Sequence, residues 1–146
     1  MVILITSKYK EKDNVMTAAW HSPISFDPSL YAIVIGKEGF SHELIEKSKE
    51  FGVNFVDSKI KKKVLCCGRI SGKDRDKFKF CGLTRKKSKK IKAPLVEEAV
   101  AWYECKVIEE IDADDHIIFI GEVVSYEEKE KGRMFHAGGD EFVSLG

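Results

Sequence analysis

The segment Asn14-Val15-Met16-Thr17-Ala18-Ala19-Trp20-His21 determines how the rest of the chain is interpreted. It follows a short apolar run and a charged turn, so it predicts the returning strand of a hairpin. Its centre is unusually small for a strand that faces a core. A flat ligand could lie there and accept hydrogen bonds from main-chain N–H groups, between the bulky Met16 and Trp20. The alternative is an ordinary half-buried strand, and this segment alone does not decide between the two.

Length and charge balance narrow the class of protein. A chain of 146 residues with 43% hydrophobic residues predicts a single domain, 1–146, with a real core. Lys and Arg total 25 against 24 acidic residues, so nothing general points to nucleic acid or an anionic membrane as partner. No apolar run approaches the roughly 20 residues of a membrane helix, and the apolar N-terminus is too short for a signal peptide. We therefore expect a cytoplasmic protein.

The four cysteines, Cys66, Cys67, Cys81 and Cys105, show no metal-binding pattern. They form no C-x-x-C motif, and no histidine stands beside them at zinc-ligand spacing. We predict no metal site and expect reduced, mostly buried thiols. A redox role for one of them stays open.

Apolar patterning predicts a mainly β protein. Strands are expected at 2–6, 14–20, 30–35, 53–56, 101–111, 116–126 and 141–145, with helices at 41–51 and after Ser58. The segment 21–29 contains two prolines and is expected to be a loop or bulge. Because no G-x-G-x-x-G follows a strand, a Rossmann half is excluded. The pattern favours a mostly antiparallel barrel with helical decoration.

The step from strand 30–35 into the first helix suits an anion. Ser41 is the expected N-cap residue, and Gly52 is the expected residue after the helix. A helix N-terminus offers free N–H groups and the positive end of the helix dipole. With the Lys37 cation and the His42 side chain, this suits a phosphate monoester. The alternative is a capped helix with a surface lysine.

Two further features have open interpretations. Asn54 interrupts an apolar strand, so its amide should face either a ligand or the protein backbone. The basic run 85–92 could contact nucleic acid, but it lacks interleaved aromatic residues, and the rest of the chain cancels its charge. A solvated connection is favoured there.

Several of these pieces occur in an order that resembles the flavin reductase-like family of FMN-binding split-barrel proteins, particularly its flavoredoxin-type members. The similarity runs over nearly the whole chain. No single motif is decisive, and the ordered set is what is specific. The set comprises 14–20, Ile24-Ser25-Phe26-Asp27-Pro28, Ser41-His42-Glu43-Leu44-Ile45, Phe51-Gly52-Val53-Asn54, 71–78, Gly82-Leu83-Thr84, Ala93-Pro94, Glu104-Cys105, Asp115-His116 and Gly121-Glu122-Val123.

The resemblance implies a split β-barrel with two or three short helices that forms a homodimer and binds FMN near the subunit interface. It implies that His116 lies where a nicotinamide approaches the flavin. The alternative is a histidine bonded to a turn carboxylate such as Asp115. The implied FMN-binding residues are Asn14, Met16, Thr17, Ala18, Ala19 and Trp20 along the ring and ribityl chain, Lys37, Ser41 and His42 at the phosphate, and Asn54 and Lys77 at the pocket or its rim.

Two departures from the family pattern are visible. The chain starts at the first barrel strand, without the usual short N-terminal lead, so barrel closure or the dimer edge is expected to differ. The phosphate loop carries Lys37 and His42 instead of an arginine-rich set. Phosphate affinity is therefore expected to depend on pH through His42.

The expected activity is transfer of a hydride from NADH or NADPH to FMN, for reduction of the flavin or electron transfer. Because the flavin carries the electrons, no side chain need act as acid or base, and no catalytic residue is named. The alternative is a non-catalytic FMN-binding module. An FMN oxidase of the pyridoxamine-phosphate type is disfavoured by the loop 71–78 and the Asp115-His116 pair. The electron acceptor stays open between free flavin, iron and a redox protein partner.

Overall fold

A computed structural model describes residues 1–129 and, beyond them, the backbone of two strands at 133–138 and 141–145. The strands are β1 (Ile3–Tyr9), β2 (Lys12–Ala18), β3 (His21–Ser25), β4 (Leu30–Gly36), β5 (Glu50–Phe55), β6 (Arg85–Lys86), β7 (Leu95–Val96), β8 (Ala101–Ala113), β9 (His116–Glu128), β10 (Arg133–Gly138) and β11 (Glu141–Leu145). The helices are α1 (Phe40–Ser48), α2 (Lys61–Arg69) and α3 (Lys77–Cys81), with a 3-10 turn at Ser58–Ile60 before α2.

Seven strands form one antiparallel sheet in the order β2-β1-β5-β8-β9-β4-β3. The first hairpin, β1–β2, packs at one end of this order, and the β3–β4 hairpin lies at the other. Two small two-stranded sheets, β6–β7 and β10–β11, are not part of its hydrogen-bonded ladder. The prediction of a mainly β, antiparallel fold with few helices is confirmed.

The main sheet is buried on both faces around β1, β5 and β8. Neighbouring residues of β1 show this directly, because Leu4 and Ile5 are both fully buried but belong to different core clusters. One cluster, which includes Phe51 and Phe119, lies on one face of the sheet. The other, which includes Phe78 and Trp102, lies under α2 and α3. Burial on both sides explains why the start of β1, Ile3-Leu4-Ile5, is continuously apolar instead of alternating.

The prediction of a loop or bulge at 21–29 is wrong as to a loop in the first half, where a strand with a bulge-like irregularity is found. Residues His21–Ser25 form β3, which pairs with β4 and has an irregularity between Pro23 and Ser25. Proline removes a backbone donor, and an edge strand tolerates this because one of its sides needs no partner strand. The turn after Ser25, with a cis Asp27-Pro28 peptide bond, is irregular as expected.

The first helix begins and ends earlier than predicted. Its N-cap is Gly39, and Ser41 lies within the first turn, where its side chain is buried. The helix ends at Ser48, and Lys49 takes the left-handed conformation with φ 60°. Gly52 is instead the third residue of β5. A Cβ there would lie 2.8 Å from Leu95 Cδ2, so this glycine serves close packing and not helix termination.

The expectation of four reduced thiols is wrong for two of them. Cys66 on α2 and Cys81 on α3 form a disulfide, with their Cα atoms 5.7 Å apart. Cys67 and Cys105 are free and buried. The pair escaped prediction because its 15-residue separation matches no motif and depends on how two short helices pack.

Candidate functional site

A cavity of about 900 Å³ opens beside the edge strand β2. Its walls are β2, the N-terminal end of α1, the end of α2 with the loop that follows, and the β8–β9 turn. This volume is within the range of small-molecule sites, roughly 300–1,000 Å³. Seven of the residues predicted from the sequence line it: Asn14, Met16, Thr17, Lys37, Ser41, His42 and Lys77.

The free edge of β2 supplies backbone hydrogen-bonding groups to this region. The β1–β2 hairpin has a two-residue loop, so Tyr9 and Lys12, which flank it, form a hydrogen-bonded pair. Pairing then alternates, and the odd-numbered residues of β2 direct their N–H and C=O groups away from β1. Thr17 is one of them. Its hydroxyl also donates to the Val64 carbonyl at 2.6 Å, which holds α2 against β2.

The N-terminal end of α1 forms a second wall. Gly39 caps the helix without a side chain, so the N–H groups of the first turn stay available. His42 Nδ1 lies 2.8 Å from the Lys37 carbonyl, and therefore Nδ1 carries the proton. His42 Nε2 lies 3.2 Å from Glu46. The Lys37 ammonium pairs with Asp112 on β8. The three residues predicted at a phosphate are thus brought to one helix end.

The Asn14 side chain connects β2 to α1 through one of its two polar amide atoms, and the other makes no hydrogen bond to the described residues. Its Nδ2 donates to Ser41 Oγ at 2.9 Å. The side chain is 4% exposed, and Oδ1 has no hydrogen-bond partner among the residues that the structure describes. Gly72 lies so close that a Cβ there would be 2.6 Å from Asn14 Cγ. A buried carbonyl oxygen without a donor is unfavourable, and Gly72 covers this atom, so a ligand that donates a hydrogen bond reaches it when the loop at Gly72 shifts.

Lys77 is a buried cation in the cavity wall. It is 6% exposed, and its Nζ donates to the Cys67 carbonyl at 2.8 Å. Burial lowers the pKa of Lys77, because the charged form loses hydration. An ammonium has three donors, and the ion pairs found among the described residues do not include this one. It therefore suits an electronegative edge of a bound molecule.

The remaining predicted residues lie outside the cavity. Asn54 is fully buried in the core, where its Nδ2 donates to the Leu4 carbonyl at 3.0 Å and its Oδ1 accepts from Val96 N–H at 2.8 Å. The backbone-bonded alternative for Asn54 therefore holds, and a ligand contact does not. Ala18 belongs to the core cluster, whereas Ala19 is exposed just beyond the end of β2.

Trp20 and His116 form a pair near the cavity. Trp20 is 60% exposed, and its ring centroid lies 4.7 Å from that of His116. His116 Nδ1 lies 2.7 Å from Asp115 Oδ1, and the pKa of Asp115 is lowered by this contact. The bond to the turn carboxylate matches the alternative interpretation of His116. Asp115 itself lines the cavity, so the pair stands at its rim.

Sequence reasoning missed the wall formed by 67–73. Gly72 lies against Asn14 although 58 positions separate them, and nothing in the sequence links the two. In the sequence, the loop 71–78 enters only as part of the family resemblance. With it, the cavity carries charges of both signs: Lys37, Arg69, Lys73 and Lys77 against Glu38, Glu43, Asp114 and Asp115.

A mainly β domain with a cavity at the edge of its sheet, walled by backbone amides and one helix N-terminus, defines a class of small-ligand-binding proteins. Comparison with known protein families shows which family the chain belongs to. Residues 1–143 match the flavin reductase like domain, and the chain belongs to that family.

Individual relatives agree with this assignment. An uncharacterised protein of Archaeoglobus fulgidus is 40% identical over 114 residues, which are 78% of this chain and 64% of that protein. The flavoredoxin of Methanosarcina acetivorans is 27% identical, with a TM-score of 0.81 over 89% of this chain and 69% of its own. The FMN-binding protein of Thermus thermophilus is also 27% identical, with a TM-score of 0.84 over 97% of this chain and 78% of its own.

Two searches of the described residues were negative. None of their helices is long and apolar enough to cross a membrane. Within the same residues, no group of three or more His, Cys, Asp or Glu side chains converges in a way that would hold a metal ion.

Proposed function

We propose that this protein binds FMN in the cavity beside β2 and accepts a hydride from NADH or NADPH there. The observation that carries the proposal is the cavity itself, in which the edge of β2 meets the N-terminal end of α1, with the unpartnered Asn14 Oδ1 buried beneath Gly72 in its wall. A flavin nucleotide offers donors in its ribityl hydroxyls and its ring imide. The similarity to an FMN-binding protein and to a flavoredoxin supports FMN as the ligand.

The cavity suits the two chemically different ends of FMN. The phosphate suits the first turn of α1, where free N–H groups, the helix dipole and the hydroxyl of Ser41 converge. Ser41 Oγ accepts a hydrogen bond from Asn14, so its own hydrogen stays free to donate. Lys37 can exchange its surface partner Asp112 for the phosphate, because that pair is exposed to solvent.

The ring system suits the free edge of β2. Outward-facing N–H groups there can donate to carbonyl oxygens of a flat heteroaromatic ring, and Met16 offers an apolar surface. Lys77 places a buried positive charge beside the same region, which favours negative charge on a ligand. When bound, FMN supplies a ring that accepts a hydride from a reduced nicotinamide. The chain itself binds and orients the flavin and supplies charge beside it.

We further propose that two copies of the chain associate. The resemblance implies a homodimer, and β3 is an edge strand whose outer side has no partner strand within the described residues. Ile24 and Phe26, in and just after β3, are 48% and 72% exposed. An exposed apolar edge strand is normally covered. Light scattering should give a dimer mass, and a monomer that binds FMN would contradict this proposal.

The test of the proposed function is a titration of FMN with micromolar protein, followed by addition of NADH or NADPH. We expect quenching of flavin fluorescence, and then oxidation of the nicotinamide that requires both protein and FMN. Absence of any spectral change on mixing would refute FMN binding. Binding without nicotinamide oxidation would make the protein a non-catalytic FMN-binding module instead.

A further inference from the structure

The disulfide between Cys66 and Cys81 encloses one complete wall of the cavity. Residues 67–73 and Lys77 line the cavity, and all of them lie between the two cysteines. This segment includes the end of α2, the connecting loop and the start of α3. A covalent bond that closes the segment therefore limits how far the wall can move.

The helix α2 is less deeply buried than α3, although its partly buried Val64 packs against the core cluster. Cys67 is its only buried residue, whereas α3 buries Lys77, Phe78 and Cys81. Among the described residues, two side-chain hydrogen bonds attach α2 to its surroundings: Thr17 donates to the Val64 carbonyl, and Lys77 donates to the Cys67 carbonyl. The disulfide joins this weakly buried helix to a well-buried one.

We propose that Cys66 and Cys81 form a reversible thiol–disulfide site whose redox state sets the affinity of the cavity for its ligand. In the oxidised state the wall 67–77 is held in place beside Asn14. In the reduced state α2 and the loop are released, and binding requires that they be ordered first. Where FMN is taken as the ligand, this inference rests on the proposed function.

An external dithiol can reduce this disulfide by attack at Cys66, and the neighbouring thiol of Cys67 competes poorly with it. Cys66 is partly exposed, whereas Cys81 is buried, so a thiolate of an external dithiol reaches the Cys66 sulfur first. This attack forms a mixed disulfide with Cys66 and releases Cys81 as the thiolate. The second thiol of the reductant then displaces Cys66, which leaves two protein thiols and one oxidised dithiol. Burial raises the pKa of Cys67, so this neighbour is a poor competing nucleophile.

The experiment compares FMN affinity in the two redox states. Protein is reduced with a phosphine, desalted into oxygen-free buffer and titrated with FMN beside the oxidised protein. We expect affinity to fall at least about fivefold on reduction, the lower end of typical coupling between two sites. The double variant C66S/C81S should bind FMN with the affinity of the reduced protein, and its affinity should not change when the reductant is added. The control Cys105→Ala, which removes a buried thiol in β8 and keeps the disulfide, should respond as the wild type does.

Hydrogen exchange of residues 67–77 gives a second readout that needs no FMN. We expect faster exchange there on reduction, with little change in β1 and β5. Equal FMN affinity in the two redox states overturns the inference, whatever the exchange rates show. If FMN binds neither state, the proposed function fails, and exchange decides the inference alone: acceleration at 67–77 supports it, and unchanged rates overturn it. Because the wild type is tested directly, a double variant that fails to fold does not block the test.

Discussion

Replacing Asn14 by leucine should separate folding from ligand binding. The change removes the bond from Nδ2 to Ser41, which contributes about 1 kcal/mol to the free energy of unfolding. It also removes the unpartnered Oδ1, whose burial costs about 1–3 kcal/mol, but it leaves the buried Ser41 hydroxyl without its donor at a similar cost. Because these two costs offset each other, the ligand-free variant should be only about 1 kcal/mol less stable than the wild type. Its FMN affinity should fall by about 1–2 kcal/mol, or about 5–30-fold, because the ligand loses its acceptor.

Asn54→Leu is the matched control, because Asn54 is equally buried but fully bonded. Its removal leaves the buried Val96 N–H without a partner and deletes the side-chain hydrogen bond to the Leu4 carbonyl. We expect a loss of about 2–4 kcal/mol in unfolding free energy and unchanged FMN affinity of the folded fraction. Urea unfolding with and without FMN, combined with fluorescence titration, measures both quantities. The reasoning is refuted if Asn14→Leu destabilises the ligand-free protein as much as Asn54→Leu does and leaves FMN affinity unchanged.

Three further changes test other parts of the site. FMN affinity of the wild type should weaken as pH rises through the lowered pKa of Lys77, below the ordinary 10.5, and Lys77→Met should abolish this alkaline dependence in titrations at several pH values. The double variant C66S/C81S should lose about 3 kcal/mol of stability, the entropy of closing a 15-residue loop, and calorimetry that finds an unchanged Tm would contradict this. Gly72→Ala should weaken FMN binding because the new methyl displaces the Asn14 side chain, and full affinity in a titration would exclude that contact.

The sequence predicted most strands because burial leaves a strong pattern. The apolar run of β4 and the long β8–β9 hairpin are visible without any knowledge of their neighbours. The failures concern residues whose role depends on tertiary contacts. Gly52 resembles a helix terminator but is required by packing against Leu95, and Pro23 resembles a loop residue but lies in an edge strand.

The candidate site likewise combines features that are local in sequence with features that depend on tertiary contacts. The helix N-terminus with Ser41 and His42, and the edge strand with Asn14 and Thr17, were predicted because each is local in sequence. Asn14 and Asn54 could not be distinguished, since each is a single amide in a strand and the sequence does not show its hydrogen-bond partners. Their difference appears only when hydrogen bonds are counted, because Asn54 is satisfied by the core and Asn14 is not. The wall between Cys66 and Cys81 was missed because chain segments far apart in sequence create it.

The central claim is that one FMN molecule bridges the free edge of β2 and the N-terminus of α1. A crystal structure of the protein with FMN tests it most directly. We expect the phosphate on the first-turn amides of α1, and a donor of the flavin nucleotide within hydrogen-bonding distance of Asn14 Oδ1. A structure in which FMN lies elsewhere, or in which this cavity stays empty at saturating FMN, would contradict the account.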